Sequence, residues 1–341
     1  MTCRERLVSS LRGEPVHEPV FAVYDWFVEH RVQDWNRYFG LGLGRINHAT
    51  VTKLRLPHVQ ISEQSRDAGS GRIERDTIWK TDIGELRERR LGEWRQEYFI
   101  RQPGDYRILA RAFADAEVIP VPGEFDRSEA ALGDGGVTLA VPSLRRTPFQ
   151  SIQIDYAGLE RFSLDVAAEE PDLFALIEVM TDVFLREIAH IGRMPVEHVK
   201  LWENLSLDTM GPALYRRHLV PLYRRLRGAL GQGQKLSVHY DGKLRQVAAD
   251  IAKLPIDGID SFTPPPEGDM STAEARAAWP DTYLWLHPCL GWYTEEERSL
   301  ATHITTMVRE AGGRRFCLMI SEDIPSDPGR TIPAVLDVLR G

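Results

Sequence analysis

The chain has 341 residues, a mass of 38.8 kDa and a hydrophobic content of 43%, which is enough for a large buried core. Its net charge of −8 and pI near 5.7 argue against a nucleic-acid partner, because phosphate binding needs a clustered basic excess. No apolar run approaches transmembrane length, and the N-terminus predicts an amphipathic helix rather than a signal peptide. Only three scattered cysteines are present. A soluble cytoplasmic protein in a reducing compartment, with no membrane partner, is therefore expected.

The first half of the chain predicts three buried strands, at Pro19–Tyr24, His58–Ile61 and Val137–Val141. Between the second and the third, residues 72–100 alternate polar and apolar side chains around glycine turns. This pattern is typical of antiparallel hairpins that are half exposed to water. Residues 72–100 are therefore predicted to be an excursion from the main scaffold, followed by a helix at Pro103–Phe113.

The second half alternates regularly between strands and helices. A long helix is predicted at Pro171–Ile191 from its apolar spacing. Strands are then predicted at Val199–Trp202, Leu236–Val238, Gly258–Ser261, Tyr283–Leu286 and Phe316–Ile320. Alternating βα units give parallel strands covered by helices, and eight such units favour a closed barrel. The predicted fold is thus α/β, a single (β/α)8 TIM barrel domain spanning residues 1–341, with the hairpin excursion added.

The candidate site is the set of polar residues at the carboxyl ends of the predicted strands, where such barrels carry their chemistry. The segment KLSVHYDG is the most informative, because His239 and Asp241 alternate along one strand and should lean to the same side. Each of these residues has a structural alternative, since strand-end polar groups often cap the next helix. The candidates are Asp25, Trp26, Glu203, Asn204, His239, Tyr240, Asp241, Asp260, His287, Trp292 and Glu322.

Three chemistries fit this ring of residues. His239, Asp241 and Glu322 are the candidate ligands of one divalent metal ion, for which zinc, iron or manganese suits imidazole with two carboxylates. In a metal-free alternative, His239 or Glu203 moves a proton at a substrate that the other residues hold. In the third, His239 and Asp241 with His287 form the facial triad of non-haem iron oxygenases, which ranks lowest because that triad ordinarily sits in all-β scaffolds.

Several segments together resemble the uroporphyrinogen decarboxylase superfamily, which also contains corrinoid-dependent methyltransferases. The segments are RERLVSSLRGEPVHEPVF, TDIGEL, EYFIRQPGDYRIL, LWENLSLDTMGPALYRRHLVPLYRRL, VHYDG, IDGIDSFTPPPEGDMSTAEARAAWP and ISEDIP. The resemblance covers nearly the whole chain and implies a single (β/α)8 barrel.

The chain departs from both activity patterns of that superfamily. YDWFVEHRVQDW stands where the decarboxylases carry RQAGRY, the motif that clamps porphyrinogen carboxylates. HYDG and EDIP stand where the zinc methyltransferases carry HxCG and GCxxP, so Asp241 and Glu322 replace the two thiolates. An oxygen-rich site does not hold a thiolate, so transfer to or from an oxygen or nitrogen centre is expected instead.

The resemblance therefore implies a one-carbon (methyl) transferase or demethylase that acts on a small molecule, with the corrinoid carried by a partner protein. His239, Glu203 and Asp241 are the expected catalytic residues. The alternatives are a decarboxylase (lyase) of a small carboxylated substrate and a catalytically inactive ligand-binding barrel. Formation of a homo-oligomer is compatible with this interpretation, and the sequence does not decide it. The expected substrate-binding residues are Asp25, Trp26, Asn204, Tyr240, Asp260, His287 and Trp292.

Overall fold

The computed structural model describes residues 1–15, 17–31, 33–321 and 323–341. In these ranges the strands are β1 Phe21–Tyr24, β2 Gly44–Thr50, β3 Thr52–Arg55, β4 Gln60–Asp67, β5 Ile73–Lys80, β6 Glu85–Leu91, β7 Trp94–Glu97, β8 Glu117–Pro120, β9 Gly136–Val141, β10 His198–Leu205, β11 Lys235–Tyr240, β12 Gly258–Phe262, β13 Tyr283–Leu286 and β14 Phe316–Met319.

The α-helices in the same ranges are α1 Cys3–Arg12, α2 Asp25–His30, α3 Trp35–Gly40, α4 Gly104–Phe113, α5 Gly123–Leu132, α6 Pro148–Ser151, α7 Leu159–Ala167, α8 Pro171–Ile191, α9 Leu207–Leu214, α10 Val220–Ala229, α11 Ala248–Ile251, α12 Thr272–Ala278, α13 Glu297–Ala311 and α14 Pro328–Arg340. Short 3₁₀ or π segments lie at Gly133–Gly135, Ile152–Ala157, Tyr215–Leu219, Arg245–Val247 and Leu290–Thr294.

The chain forms two compact units. The barrel unit comprises Met1–Val51, Val121–Val141 and Gly192–Gly341. The sheet unit comprises Thr52–Pro120 and Pro142–Ile191. All the candidate site residues that the structure describes lie in the barrel unit.

The barrel unit contains a closed barrel of parallel strands in the order β1-β14-β13-β12-β11-β10-β9-β2. Pairing of β1 with β2 completes the ring, with Ala22 opposite Gly44 and Tyr24 opposite Ile46. The residues of β1, β9, β12, β13 and β14 are buried along their whole length, as expected for strands covered on both faces. The predicted (β/α)8 TIM barrel is therefore confirmed.

The second barrel strand is not the predicted one. The prediction of a barrel strand at His58–Ile61 is wrong, because β2 at Gly44–Thr50 occupies that position between β1 and β9. Residues from Gln60 onward belong instead to β4, whose residues are all exposed. Polar residues of β2, including Asn47 and His48, interrupt the apolar run by which a buried strand is usually predicted.

The sheet unit contains the predicted hairpins. Strands β4 to β7 form one antiparallel sheet, and β3 pairs with β8 in a second. Within this unit α4 packs against α8, which has the predicted bounds Pro171–Ile191. The excursion predicted near residues 72–100 is thus confirmed, and it begins earlier in the chain, at Gln60.

Two of the three cysteines are buried. Cys317 lies in β14, and the thiol of Cys289 donates to the carbonyl oxygen of Pro264 at 3.2 Å. Among the residues that the structure describes, none of the helices combines the length and the apolar character needed to cross a membrane.

Candidate functional site

The centre of the candidate site is the buried carboxylate of Asp260 on β12, which is 1% exposed. Its Oδ1 accepts a hydrogen bond from the Tyr24 hydroxyl, and its Oδ2 lies 2.6 Å from Nδ1 of His239. Nζ of Lys200 forms an ion pair with the same Oδ2. The His287 Nε2 atom completes the cluster, 3.2 Å from the Tyr24 hydroxyl and 3.8 Å from Asp260 Oδ1.

These side chains meet inside the barrel. Tyr24 on β1 and Asp260 on β12 come from strands that are not neighbours in the sheet, so their hydrogen bond crosses the interior. His239 and Asp260 stand opposite each other in the register of β11 and β12. Strand alternation then places Lys200 and Trp202 on the same inner face of β10. We call the group Tyr24, His48, Lys200, Trp202, His239, Asp260 and His287 the inner cluster.

The charges of the inner cluster compensate one another. Burial raises the pKa of Asp260, but the Lys200 ammonium and the His239 imidazolium outweigh burial and hold it well below its usual range. Lys200, which is fully buried, also places its Nζ 3.9 Å from the centre of the Trp202 ring and 4.3 Å from that of Tyr24. Asp260 is therefore ionised, and its negative charge is fixed by several donors.

His239 is held in its charged form. Its Nδ1 is bonded to Asp260, and its Nε2 lies 3.0 Å from Oδ1 of Asp241. Burial lowers the pKa of His239, but the charges of Asp241 and Asp260 reverse that effect and raise it to about 10. At neutral pH the ring is an imidazolium, with Nδ1 bonded to Asp260 and Nε2 in ion-pair contact with Asp241. The expected approach of Asp241 to His239 is thus present.

His48 on β2 is held in the opposite form. Its Nδ1 lies 2.9 Å from Oδ1 of Asp25, whose Oδ2 accepts the backbone N–H of His48 at 2.7 Å. Burial and the Lys200 charge lower the pKa of His48, although Asp25 raises it in part. The His48 ring packs 4.6 Å from Trp202, which in turn lies 5.4 Å from the His239 ring. Trp202 therefore stands between a neutral and a charged histidine.

Glu203 and Tyr240 lie on the other face of the same strands. Glu203 is fully buried and accepts a hydrogen bond from the Tyr223 hydroxyl at 3.1 Å, from helix α10. The Tyr240 hydroxyl lies 3.2 Å from that of Tyr215. We call Glu203, Tyr215, Tyr223 and Tyr240 the outer cluster. These two predicted site residues thus belong to the outer cluster, on the face of β10 and β11 opposite Lys200 and His239.

Three other predicted residues, Asn204, Trp26 and Trp292, are not part of the inner cluster. Asn204 is exposed and has a left-handed backbone, with φ of 48°. Trp26 is 40% exposed and has the Arg31 guanidinium 4.7 Å above its ring. Trp292 stacks on His303 at 4.4 Å. Their proposed roles in substrate binding remain predictions.

The predicted metal set was His239, Asp241 and Glu322, and Glu322 lies outside the described residues. Among the described residues, there is no group of three histidine, cysteine, aspartate or glutamate side chains placed to hold a metal ion. The two ligands that are described lie together, with Nε2 of His239 3.0 Å from Oδ1 of Asp241. Nδ1 of His239 is bonded to Asp260, which also pairs with Lys200. The metal site therefore stays a prediction.

Sequence reasoning missed Tyr24, His48 and Lys200. A lysine inside an apolar strand, VKLW, was a usable signal, because lysine is almost never fully buried unless it is paired. His48 was overlooked because its strand had been placed elsewhere. Tyr24 ends the predicted strand Pro19–Tyr24, and no pattern in the sequence marks its hydroxyl as a partner of Asp260.

No family profile matches the sequence, and no curated protein matches it. Among solved structures, the chain is similar to a methyltransferase from Methanosarcina mazei, with 11% identity, a TM-score of 0.60 and coverage of 100% of this chain and 98% of that one. It is also similar to a B12-independent methionine synthase from Shewanella sp. W3-18-1, solved in complex with selenomethionine, with 9% identity, a TM-score of 0.44 and coverage of 89% and 83%. At these identities the likeness is one of fold, and membership of the uroporphyrinogen decarboxylase superfamily stays a prediction.

Proposed function

We propose that this protein is an enzyme that transfers a methyl group to or from a small molecule at the carboxyl end of its barrel. The proposal rests on one observation: the ring of His239 is buried, carries a positive charge and lies between the carboxylates of Asp260 and Asp241. In the demethylation direction, the atom that loses its methyl group gains negative charge and needs a proton. A positioned acid that is charged at neutral pH supplies it.

The two carboxylates beside His239 differ in exposure, which indicates the side from which a substrate arrives. The side chain of Asp260 is 1% exposed, whereas that of Asp241 is 33% exposed. A substrate therefore reaches Nε2 of His239 by displacing Asp241, while Nδ1 stays bonded to Asp260. In this arrangement Asp260 orients the ring, and Nε2–H donates the proton.

Methyl transfer is the reaction favoured for this acid, because the fold likeness to the Methanosarcina methyltransferase extends over the full chain. Methyl transfer is also one of the activities of the superfamily that the sequence motifs resemble. The corrinoid-carrying partner protein expected from that resemblance is part of the proposal. Each step assigned here to this chain is a proton transfer, and none of them needs a metal.

A second candidate is decarboxylation of a small carboxylated molecule. It is favoured by the proximity of two proton donors, Lys200 and His239, which share Oδ2 of Asp260. A decarboxylase must protonate the carbanion that remains when carbon dioxide leaves, and either donor could do so.

The test uses the full-length protein with cob(I)alamin as methyl acceptor and a panel of methylated amines, aryl methyl ethers and methyl thioethers. Formation of methylcobalamin is followed by its absorbance. We expect at least one class to react, and His239→Gln to lower kcat by about 10²–10⁴-fold, the usual contribution of a general acid.

The matched control is His58→Gln, which alters a histidine of the sheet unit whose Nε2 lies 3.0 Å from Asp115. This variant should react as the wild type does. Absence of methylcobalamin with every class, together with release of carbon dioxide from a panel of small carboxylic acids, would replace methyl transfer by decarboxylation.

A further inference from the structure

The pair Asp25–His48 has the geometry of an oriented histidine base. Asp25 receives three hydrogen bonds, from Nδ1 and the backbone N–H of His48 and from the backbone N–H of Trp26 at 2.9 Å. Burial raises the pKa of Asp25, but its bonds with His48 outweigh burial and keep it below its usual value. An ionised carboxylate at Nδ1 holds the ring proton there, so the lone pair of a neutral ring is at Nε2.

That Nε2 atom is the unusual feature. It is buried and has no hydrogen-bond partner among the residues that the structure describes. The side chain of His48 is 8% exposed, so bulk water does not readily serve it. Buried polar atoms without partners are rare in folded proteins, and one at the centre of a polar cluster indicates a position that a ligand fills.

The charged and titratable groups that face His48 come from four elements. Asp25 on α2 and Tyr24 on β1 contact the ring, and the charges of Lys200 on β10 and Asp260 on β12 act on it. Burial and Lys200 oppose protonation, while Asp25 and Asp260 favour it, and the balance lowers the pKa of His48. The ring is therefore a neutral base at physiological pH.

We propose that His48 is the general base of this enzyme and that its methyl acceptor is a neutral molecule with a dissociable proton on oxygen, nitrogen or sulfur. This inference rests on the proposed methyl transfer and deepens it. Asp25 is a positioning residue that fixes the tautomer of His48. Tertiary amines and other acceptors without such a proton are excluded as substrates of this base.

In the proposed step, a lone pair on the acceptor atom forms a bond to the methyl carbon. The bond between that carbon and the methyl donor breaks, and its electron pair leaves with the donor. The proton of the acceptor atom moves to Nε2 of His48, which becomes an imidazolium paired with Asp25. In the demethylation direction the same proton returns from Nε2, or His239 supplies it.

The two histidines thus divide acid and base roles between them. Trp202, with its ring 4.6 Å from His48 and 5.4 Å from His239, separates the two. Two titratable groups whose surroundings drive their pKa values apart are a recurring basis for acid and base assignment. Here the difference follows from two carboxylates at His239 against one at His48, with Lys200 close by.

The first test is a direct observation of the ring and needs no turnover. Long-range ¹H–¹⁵N spectra of histidine-labelled full-length protein, assigned with His48→Gln, report which nitrogen carries the proton. We expect a proton at Nδ1 and none at Nε2 at pH 7. A protonated Nε2 at pH 7 would overturn the inference, whether or not methyl transfer is detected.

The second test measures rates with methylcobalamin as donor and phenol, thiol and secondary-amine probes as acceptors. His48→Gln should lower kcat by about 10²–10⁴-fold for every reactive acceptor. Asp25→Asn should lower kcat with little change in KM and move the acid limb of the pH profile to lower pH, because Asp25 raises the pKa of His48.

The matched control is His198→Gln. His198 begins β10 at the opposite end of the barrel and is also a buried neutral histidine, since burial lowers its pKa to about 4. This variant should keep the wild-type rate. If methyl transfer proceeds and His48→Gln retains full activity, His48 is not the base although the proposed function stands. If no methyl transfer occurs, the proposed function fails and the tautomer measurement alone decides whether His48 is a poised base.

Discussion

The inner and outer clusters meet opposite faces of β10 and β11, and they differ in charge. The inner cluster surrounds Asp260 with Lys200 and a charged His239. In the outer cluster, Glu203 accepts a hydrogen bond from a tyrosine, Tyr223. Both carboxylates are buried, so burial alone does not distinguish a functional group from a structural one.

What distinguishes the clusters is the chemistry around each carboxylate. Charged and titratable donors converge on Asp260 from several strands, and the protonation states of His48 and His239 follow from that arrangement. Around Glu203 the neighbouring tyrosines keep their protons, since burial raises the pKa of Tyr223 and Tyr240 well above the ordinary value. The inner cluster can exchange protons near neutral pH, whereas the tyrosines of the outer cluster cannot.

The largest expected effect is that of Asp260→Asn. Removing the charge leaves Lys200 and the His239 imidazolium buried without their shared carboxylate, and breaking a buried ion pair costs about 3–5 kcal/mol. The free energy of unfolding, measured by urea denaturation at pH 7, should fall by that amount. Asp208→Asn, which alters an exposed pair with Lys243, should have a much smaller effect. Equal losses in the two variants would contradict the charge compensation inferred for the inner cluster.

The fold was predictable because βα alternation leaves few arrangements other than a barrel. The rule that strand ends carry polar groups also singled out Asp260 and His287, which lie in the inner cluster, and Asp25, which is bonded to His48 of that cluster. It likewise predicted the approach of Asp241 to His239. These residues follow or close apolar strands, where a change from apolar to polar side chains is easy to recognise.

The rest of the inner cluster was not predictable in this way, because Lys200 and His48 lie within strands rather than after them. The face of Glu203 was also ambiguous. Alternation along β10 puts Glu203 on the face opposite Lys200 and Trp202. The sequence does not mark which of these two faces lines the interior of the barrel, because apolar and polar residues occur on both.

A smaller effect is expected for His239→Gln, and it should depend on pH. The folded pKa of His239, about 10, lies above its ordinary value of 6.5. Its stabilising contribution is therefore complete below about pH 6.5 and disappears as the pH rises through 10. The variant should lose about 2–3 kcal/mol at pH 7, as expected for interior hydrogen bonds to charged groups. Urea denaturation across this range should show the difference from wild type shrinking at high pH, whereas a constant difference would refute the charged state of His239.

His48→Gln should show the opposite pH dependence. Its folded pKa is lowered from 6.5, so the unfolded chain binds more protons than the folded one as the pH falls below that value. The wild type therefore loses stability on the acid side because of His48, and the variant should lose less over the same range. Denaturation of both proteins from pH 7 downward, with His303→Gln as control, measures this. Parallel curves for wild type and His48→Gln would mean that His48 is not held neutral.

The smallest effect is expected for Tyr223→Phe in the outer cluster. The change removes one hydrogen bond to Glu203, and a single buried hydrogen bond contributes about 1 kcal/mol net. The free energy of unfolding should fall by roughly that amount, while kcat and the pH profile of methyl transfer stay as in the wild type. A changed pH profile would instead connect the outer cluster to proton transfer. In that case Glu203 would return as a catalytic candidate, and the separation of the two faces of β10 and β11 into a reactive side and a structural side would not hold.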